Sequence, residues 1–324
     1  NVAGLGRFST LIGQEIGGAA ELTGLADVTP LDGLFAVTIA GRTEDLSVGI
    51  PQADAVLAGA GSLSASAVRD ADGTRLESLL IRTDAAQITA RAALTSDGRD
   101  AEFSARLNDV AVVLPELDGP AQVSGTVQAA ANGVIDFDIE GTGPAAQLDA
   151  QGTVNPSETG RTVNAALSAS VSDLSRYADL AQRPLSGAAR FTLGGVLLTE
   201  GLRFDVDIAG QTRDVTTGID RLDPFLDGVG QFTAAIARPT ADIFQVSDLL
   251  LVTPAVRVAG DASIDGLNPT GADIDLRINN AALIDPSLNG PITVRIDGVP
   301  TDDDDLAVDI AANGPGVDVT LDAI

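Results

Sequence analysis

Apolar and polar residues alternate with a period of two along most of this 324-residue chain. In one such segment Ile135, Phe137 and Ile139 are separated by single acidic residues. Because successive side chains of a β-strand point to opposite faces of the sheet, each segment predicts a strand with one apolar and one polar face. Turn-forming clusters, as at 96–98 and 155–157, separate the segments. The pattern predicts antiparallel sheet rather than β-α-β units.

The apolar positions of these segments are the candidate binding residues. As lining of a lipid groove we predict Ile88, Ala90, Leu94, Val127, Ile135, Phe137, Ile139, Leu148, Val154, Leu202, Phe204, Val206, Ile208, Val258, Ile274, Leu276, Ile278, Val317 and Val319. An apolar face of this extent must be covered by a second sheet or occupied by an apolar ligand, because exposed apolar area is unfavourable in water. The pattern alone leaves both outcomes open, a closed sandwich core and a lined groove.

A short phrase, Leu followed by one residue and then Gly, precedes one predicted strand after another. It occurs at 31–33, 57–59, 117–119, 185–187, 226–228 and 288–290. We predict turns in which Gly adopts positive φ and Leu closes the edge of the array. A second, longer repeat aligns 79–88 with 249–258 without gaps. Repeats of this kind indicate an extended array of similar units rather than one compact catalytic domain.

The repeats therefore predict one continuous β-array over residues 1–324. Its approximate modules are 1–56, 57–116, 117–184, 185–225, 226–287 and 288–324. Helical patterns are few, and only segments 8–22 and 173–181 predict short helices. The chain starts at Asn1 and carries no signal peptide or bilayer-spanning apolar run, so we expect an internal piece of a longer protein.

Composition removes most catalytic chemistry. The chain contains no His, Cys, Met or Trp, and all 19 basic residues are Arg. Nucleophilic triads, thiolate or imidazole metal sites, Walker loops and pyridoxal Schiff bases each lack an essential residue. Carboxylate chemistry, arginine electrostatics and binding remain. Paired carboxylates for glycoside hydrolysis are formally available, but no aromatic cluster accompanies them, so we expect no enzyme and no cofactor.

The charge is strongly acidic, with 46 Asp and Glu against 19 Arg and a net charge of −27. Binding of nucleic acid through its phosphates is therefore excluded as a function class. The 44% of apolar residues are too many for a disordered acidic tail. The four consecutive acids at 302–305 raise the possibility of a Ca²⁺ site, but they lack the spacing of a calcium loop. We interpret them as a solvated turn and expect no metal.

One stretch resembles a known family. Residues 172–187, Ser-Asp-Leu-Ser-Arg-Tyr-Ala-Asp-Leu-Ala-Gln-Arg-Pro-Leu-Ser-Gly, resemble the inter-strand element of TamB-like proteins. The stretch 79–260 is similar to the same family in its recurring phrase of strand, Thr, small residue and strand. These proteins are inner-membrane subunits of the bacterial translocation and assembly module, in the AsmA-like superfamily of periplasmic bridge-like lipid transporters. Nothing in the chain matches the membrane anchor of the family.

The resemblance implies an all-β fold, an elongated antiparallel array curled into an open groove (a β-taco) with one or two short helices. It implies a segment of a periplasm-spanning protein of a Gram-negative bacterium, anchored to the inner membrane by a part absent from this chain. The apolar groove would conduct phospholipid between inner and outer membranes and support outer-membrane protein assembly. The implied partners are phospholipid acyl chains and a BamA/TamA-like outer-membrane β-barrel.

The residues themselves are compatible with the same function and with two others. Acyl chains would cover the apolar face, with each buried CH₂ contributing about 0.8 kcal/mol. A structural or chaperone-like scaffold would instead use strand edges to template the β-strands of outer-membrane clients. An extracellular β-solenoid adhesin would have a closed core, although the short fixed periods and calcium-binding nonapeptides of many such solenoids are absent.

Overall fold

A computed structural model describes Gly4, Gly6 and residues 15–157, 160–266, 268–301 and 306–323. The chain divides into two units, residues 1–153 and 154–324, and the division lies inside the predicted module 117–184. The first unit contains β1 (Gly17–Thr29), β2 (Leu34–Ser47), β3 (Ala60–Asp70), β4 (Gly73–Thr83), β5 (Ala86–Thr95), β6 (Gly98–Leu107), β7 (Ala121–Ala130) and β8 (Ile135–Gly143). The strand β9 (Ala146–Pro156) contains the division.

The second unit contains the remaining ten strands. They are β10 (Arg161–Val171), β11 (Ser186–Leu198), β12 (Arg203–Thr216), β13 (Val229–Arg238), β14 (Ile243–Val252), β15 (Val256–Asp265), β16 (Asn268–Ile278), β17 (Ile292–Pro300), β18 (Leu306–Gly314) and β19 (Val317–Ala323). In both units each strand pairs antiparallel with the next one along the chain. No described pairing joins the first strand of a unit to its last, so each sheet is open. The predicted all-β, antiparallel and open architecture is confirmed.

All but one of the described short helices lie at one edge of each sheet; the 3-10 turn Glu200–Leu202, between β11 and β12, lies at the opposite one. The first unit has a helix at Pro51–Leu57 and a 3-10 turn at Val110–Val112. The second unit has Leu174–Tyr177 continued by Ala178–Ala181, then Asp223–Leu226, and then a 3-10 turn at 281–283. Each follows an even-numbered strand and precedes an odd-numbered one, and in an antiparallel sheet all such connections lie at the same ends of the strands. We call this row of strand ends the capped edge of a unit, and the row of opposite strand ends its open edge.

The two predicted helices had different outcomes. The helix expected over 173–181 is confirmed as a 3-10 turn that continues into an α-helical turn and ends before Pro184. The helix expected over 8–22 is wrong for 17–22, because Gly17–Thr29 forms β1 and pairs with β2. Pairing with β2 satisfies the backbone hydrogen-bonding groups on one side of β1. A helix over the same residues would be destabilised by its glycines. Residues 8–14 lie outside the described part.

The small buried core lies along the capped edge. The buried apolar residues of the described chain are Ala20, Val56, Leu57, Ala86, Leu117, Val256, Ile278 and Ala281. Each lies in a connection at the capped edge or at the strand end next to one. Among the described residues no large side chain is completely buried. The units therefore lack the closed core that a β-sandwich or a filled solenoid requires.

Candidate apolar binding face

The strand register gathers apolar side chains onto one face of the second unit. Residues directly opposite each other in antiparallel strands place their side chains on the same face. One such row runs from Val258 to Leu276, Val294, Ala312 and Val319 across five strands. A parallel row continues through the other strands of the unit. It consists of Leu167, Leu193, Ile208 and Ala234. We call this the apolar face of the second unit.

The first unit has a corresponding apolar face. One row on it runs from Ile39 to Ala65, Leu79, Ala90 and Phe103 across five strands. The row ends further along the sheet with Gly125 opposite Ile139 on β7 and β8. No second layer covers these rows, because each described strand contacts mainly its neighbours in the same sheet.

A β-bulge in each unit keeps the apolar face continuous. In β4, Leu76 and Leu79 both lie on the apolar face although three positions separate them. The second unit has the same irregularity in β14 between Val246 and Leu249, where Asp248 adopts a φ of 54°. The bulge places one extra residue in this strand, so that apolar residues three positions apart still point to the same face. Without the bulge every later side chain of the strand would change face.

Most predicted lining residues do lie on the apolar faces. Half-buried side chains at these register positions are Ile88, Ala90, Val127, Ile135, Phe137, Ile139, Phe204, Val206, Ile208, Val258, Ile274 and Leu276. Ile278 lies on the same face and is buried where it meets the capped edge. Their neighbours along the strands, such as Asp136 and Asp275, are exposed. Each strand therefore has one half-buried apolar side and one solvent-exposed polar side, in agreement with the predicted period-two alternation.

The remaining predicted lining residues behave differently. Leu94 and Val319 occupy apolar-face positions at the strand ends and are 50% and 41% exposed. Leu148 is 39% exposed, and an added Cβ at Gly141 would lie 3.6 Å from its Cβ. Val154 is half-buried in β9, and Val317 occupies a register position of β19 opposite Gly314. Leu94, Leu148 and Val319 thus extend the faces to their margins rather than form their centres.

Leu202 is a correction. It does not begin β12, as the alternation predicted, but ends the 3-10 turn Glu200–Leu202 with a φ of 48°. Its side chain is 59% exposed, and the residue lies outside the paired strand positions that form the apolar face. The hairpin between β11 and β12 needs residues in the left-handed region, and Gly201 and Leu202 both adopt it. The alternation of β12 therefore begins only after this turn, at Arg203.

The Leu-x-Gly phrases form turns as predicted. Positive φ occurs at Gly33 (66°), Gly59 (78°), Gly119 (115°), Gly187 (91°), Gly228 (81°) and Gly290 (109°). Leu57 and Leu117 close the capped edge at 6% exposure each. The same role is wrong for Leu31, which is 99% exposed. Leu31 lies between β1 and β2 at the open edge, where no helix packs over the sheet.

A half-buried threonine ties the first cap to the sheet. Thr83, at the end of β4, donates its hydroxyl proton to the carbonyl of Val56 at 2.8 Å. The same hydroxyl oxygen accepts the backbone N–H of Ala86 at 3.0 Å. The helix Pro51–Leu57 is thereby joined to the turn between two strands. This contact explains why Thr stands in the repeated segment 79–88.

The second unit repeats the contact. Thr253 donates to the carbonyl of Phe225 at 2.7 Å and accepts the N–H of Val256 at 3.1 Å. A second contact is also repeated in the two units. Asp54 accepts the backbone N–H of Val48 at 2.6 Å, and Asp223 accepts that of Thr217 at 2.7 Å, in each case six residues earlier in the chain. The hydrogen bonds that Asp223 accepts, that of the Thr217 backbone N–H first, lower the pKa of Asp223. The repeat predicted between 79–88 and 249–258 is confirmed as a duplicated structure.

Acidic side chains occupy the face opposite the apolar one. At the register positions of the apolar faces no Asp or Glu occurs among the paired strands. On the opposite face of the second unit a row of five aspartates crosses five neighbouring strands. It consists of Asp261, Asp273, Asp297, Asp309 and Asp322. We call this surface the acidic face.

Neighbouring carboxylates of the acidic row affect one another at Asp309. Asp309 lies between Asp297 and Asp322, and the side-chain hydrogen bond with Asp322 raises the pKa of Asp309. Arg295 reaches Asp273 at 3.5 Å, an exposed pair of small energetic value. No group of three or more acidic side chains among the described residues is arranged to hold a metal ion. The acids 302–305 lie outside the described residues.

Arginines provide the charge on the apolar faces, and the sequence-based prediction missed them. Arg238 lies opposite Phe204 in the second unit. In the first unit Arg69 lies opposite Phe35, and Arg99 lies opposite Leu94. The signal was available, because Arg69 and Arg238 each continue the period-two series of apolar residues in their strands. All three lie at the open edge.

The described residues define an all-β repeat protein, made of open antiparallel sheet with one apolar and one acidic face. No described helix has the length and apolar character needed to cross a membrane. Searches against protein-family models, curated proteins and solved structures find no match to the chain. The TamB-like resemblance accordingly rests on the sequence phrases alone.

Proposed function

We propose that the chain is a segment of a lipid conduit whose apolar faces bind the acyl chains of phospholipids. The observation that carries this proposal is an apolar face that is continuous within each unit and that no second layer of the described residues covers. Large side chains such as Phe137, Val206 and Leu276 are half-buried rather than exposed. A sheet that curls around its apolar face would shield them in this way and would form the proposed groove.

The chemistry of the face suits acyl chains. It is lined mainly by Ala, Val, Ile, Leu and Phe, and the whole chain has one Tyr and no Trp. Such a wall makes many weak contacts with a hydrocarbon chain but few directional ones, so the chain can slide along it. A site that fixes one small molecule would instead contain several convergent polar groups.

The TamB-like phrases extend this proposal to a cellular setting. We infer a location in the periplasm, between an inner-membrane anchor and a BamA/TamA-like outer-membrane partner. Phospholipid would then pass from one membrane to the other along the apolar faces, and outer-membrane protein assembly would depend on that supply.

The test is lipid binding by the purified chain and by two aspartate variants. Leu276→Asp places a charge in the middle of the apolar face, opposite Val258 and Val294. We expect native mass spectrometry to show phospholipid bound to the unaltered chain and at least a tenfold loss in this variant, because burying the charge against acyl chains is unfavourable. The matched control, Thr293→Asp, adds the same charge on the acidic face opposite Arg277 and should bind lipid normally.

Far-UV circular dichroism should show folded β-sheet for both variants. Equal lipid binding by Leu276→Asp and the unaltered chain would reject the assignment of the face. A chain that carries no lipid but crosslinks outer-membrane β-strands would instead support the strand-templating scaffold.

A further inference from the structure

We propose that Arg69 and Arg238 bind the phosphate of an anionic phospholipid headgroup at the open edge of each apolar face. The inference rests on the proposed lipid-binding function and adds a headgroup preference and an orientation to it. The lipid would lie along the strands, with its phosphate at the open edge and its acyl chains directed toward the capped edge.

The distribution of charge provides the first argument. The acidic side chains of the paired strands lie away from the apolar faces, whereas Arg69, Arg99 and Arg238 lie on them. A chain with a net charge of −27 therefore presents only positive charge on its apolar surface. An amphiphile with a negative head and an apolar body is complementary to that surface.

The position of these arginines is the second argument. Each lies at the open edge, so charge is confined to one margin of the apolar face. From Arg238 to Gly230, at the other end of β13, the strand spans about 26 Å at 3.3 Å per residue. That length exceeds the roughly 15 Å of one bilayer leaflet's hydrocarbon. One lipid can therefore place its head at the open edge and its tails along the strand.

The guanidinium of Arg238 is held in place before any ligand binds. Its Nε and Nη2 donate to the carbonyl of Ala241 at 3.2 and 2.6 Å, and its Nη1 donates to the carbonyl of Leu202 at 3.4 Å. The guanidinium carbon lies 5.1 Å from the centroid of the Phe244 ring, which in turn packs edge-on against Phe204 at 6.2 Å. These contacts fix the cation beside an apolar ring.

The bonding capacity of this arginine is not exhausted. A guanidinium has five N–H groups, and the three contacts to carbonyls leave two available. No carboxylate of the described residues forms an ion pair with Arg238. Arginine binds phosphate through paired N–H donors, which a positioned and unpaired guanidinium can offer.

The duplication provides the third argument. Arg69 lies opposite Phe35 in the first unit, as Arg238 lies opposite Phe204 in the second. The side chain of Arg69 is exposed, and no described carboxylate pairs with it. An arginine next to a phenylalanine at the same margin of both apolar faces is expected if each unit holds a headgroup there.

The experiment uses the full chain and lipids that differ only in the head. The chain is incubated with vesicles of equimolar phosphatidylglycerol and diacylglycerol with matched acyl chains, and bound lipid is quantified by native mass spectrometry. We expect the unaltered chain to prefer phosphatidylglycerol by roughly tenfold, the effect of one or two charge-assisted hydrogen bonds. The double variant Arg69→Gln/Arg238→Gln should lose this preference and retain total lipid binding.

The matched control, Arg91→Gln/Arg277→Gln, removes two arginines from the acidic faces and should keep the preference. Because Arg69 is exposed, Arg69→Gln alone should fold normally and reduce the preference in part. A preference that persists in the double variant would overturn this inference and leave lipid binding intact. A chain that binds neither lipid would overturn the proposed function itself. Saturable binding of inorganic phosphate alone, lost in the double variant, would assign the arginines to a free anion and reject the lipid headgroup.

Discussion

At the scale of single residues, two buried threonines differ in their hydrogen bonds. Thr253 is 5% exposed, and its hydroxyl joins the carbonyl of Phe225 to the N–H of Val256. Thr43 is 6% exposed, but its hydroxyl has no hydrogen-bond partner among the described residues. Burial alone would make the two equally important, whereas hydrogen bonding makes them different.

Valine substitution tests this difference. Thr253→Val should lower the free energy of unfolding by about 1–3 kcal/mol, because it leaves the Phe225 carbonyl and the Val256 N–H unsatisfied in a buried site. Thr43→Val removes a hydroxyl that makes no described bond, so stability should stay constant or rise. Urea unfolding followed by circular dichroism measures both. Equal losses in the two variants would show that the hydroxyl contacts at Thr253 contribute little.

At the scale of elements, the alternation predicted the strands well because each strand is amphipathic by itself. The strand containing Phe204, Val206 and Ile208 could be placed from three residues and the acids between them. The caps at 51–57 and 223–226 were missed because four to seven residues are too few for a helical period. A proline in the first turn of each marks them, together with the Asp side chain that accepts a backbone N–H.

The acidic row is also a property of elements, because it exists only when strands pair. Folding raises the pKa of Asp309, so it favours the protonated form of this carboxyl group. The associated stability is present below the pKa of the unfolded chain and is lost as pH rises through the folded pKa. Asp309→Asn should therefore be more stable than the unaltered chain near pH 7, with the difference vanishing near pH 3.

Thermal unfolding at the two pH values measures the effect. Asp205→Asn is the control, since Asp205 lies on the acidic face opposite Val196 and Ala237 rather than between acids. An equal gain in both variants would mean that net charge, and not the acidic row, is responsible. The groups facing Asp309 from the neighbouring strands are Asp297 and Asp322.

At the scale of the whole molecule, each unit is a series of strands that contact mainly their nearest neighbours. Stability in such an array is a sum of local terms, so damage should stay local. Gly260→Ala places a Cβ against the carbonyl oxygen of Asp273 at a φ of 149°, which disrupts the packing of β15 against β16.

Hydrogen exchange with mass spectrometry should show faster exchange in β14–β17 of this variant and unchanged protection in β1–β6. Gly194→Ala is the matched control in β11, because an added Cβ there meets no atom within 4 Å. Uniform loss of protection through both units would contradict a locally stabilised array.

The sequence by itself determined the strands, the turns with positive-φ glycines, the repeat and the amphipathic character of the sheet. These follow from neighbours two to four residues apart, where side-chain alternation and turn chemistry act. Only the tertiary structure decided that no described residues cover the apolar face of either unit, that the acids form rows and that Arg69 and Arg238 each lie at the open edge of their own unit. Those features depend on register between strands, and register is fixed by pairing and bulges rather than by any single segment.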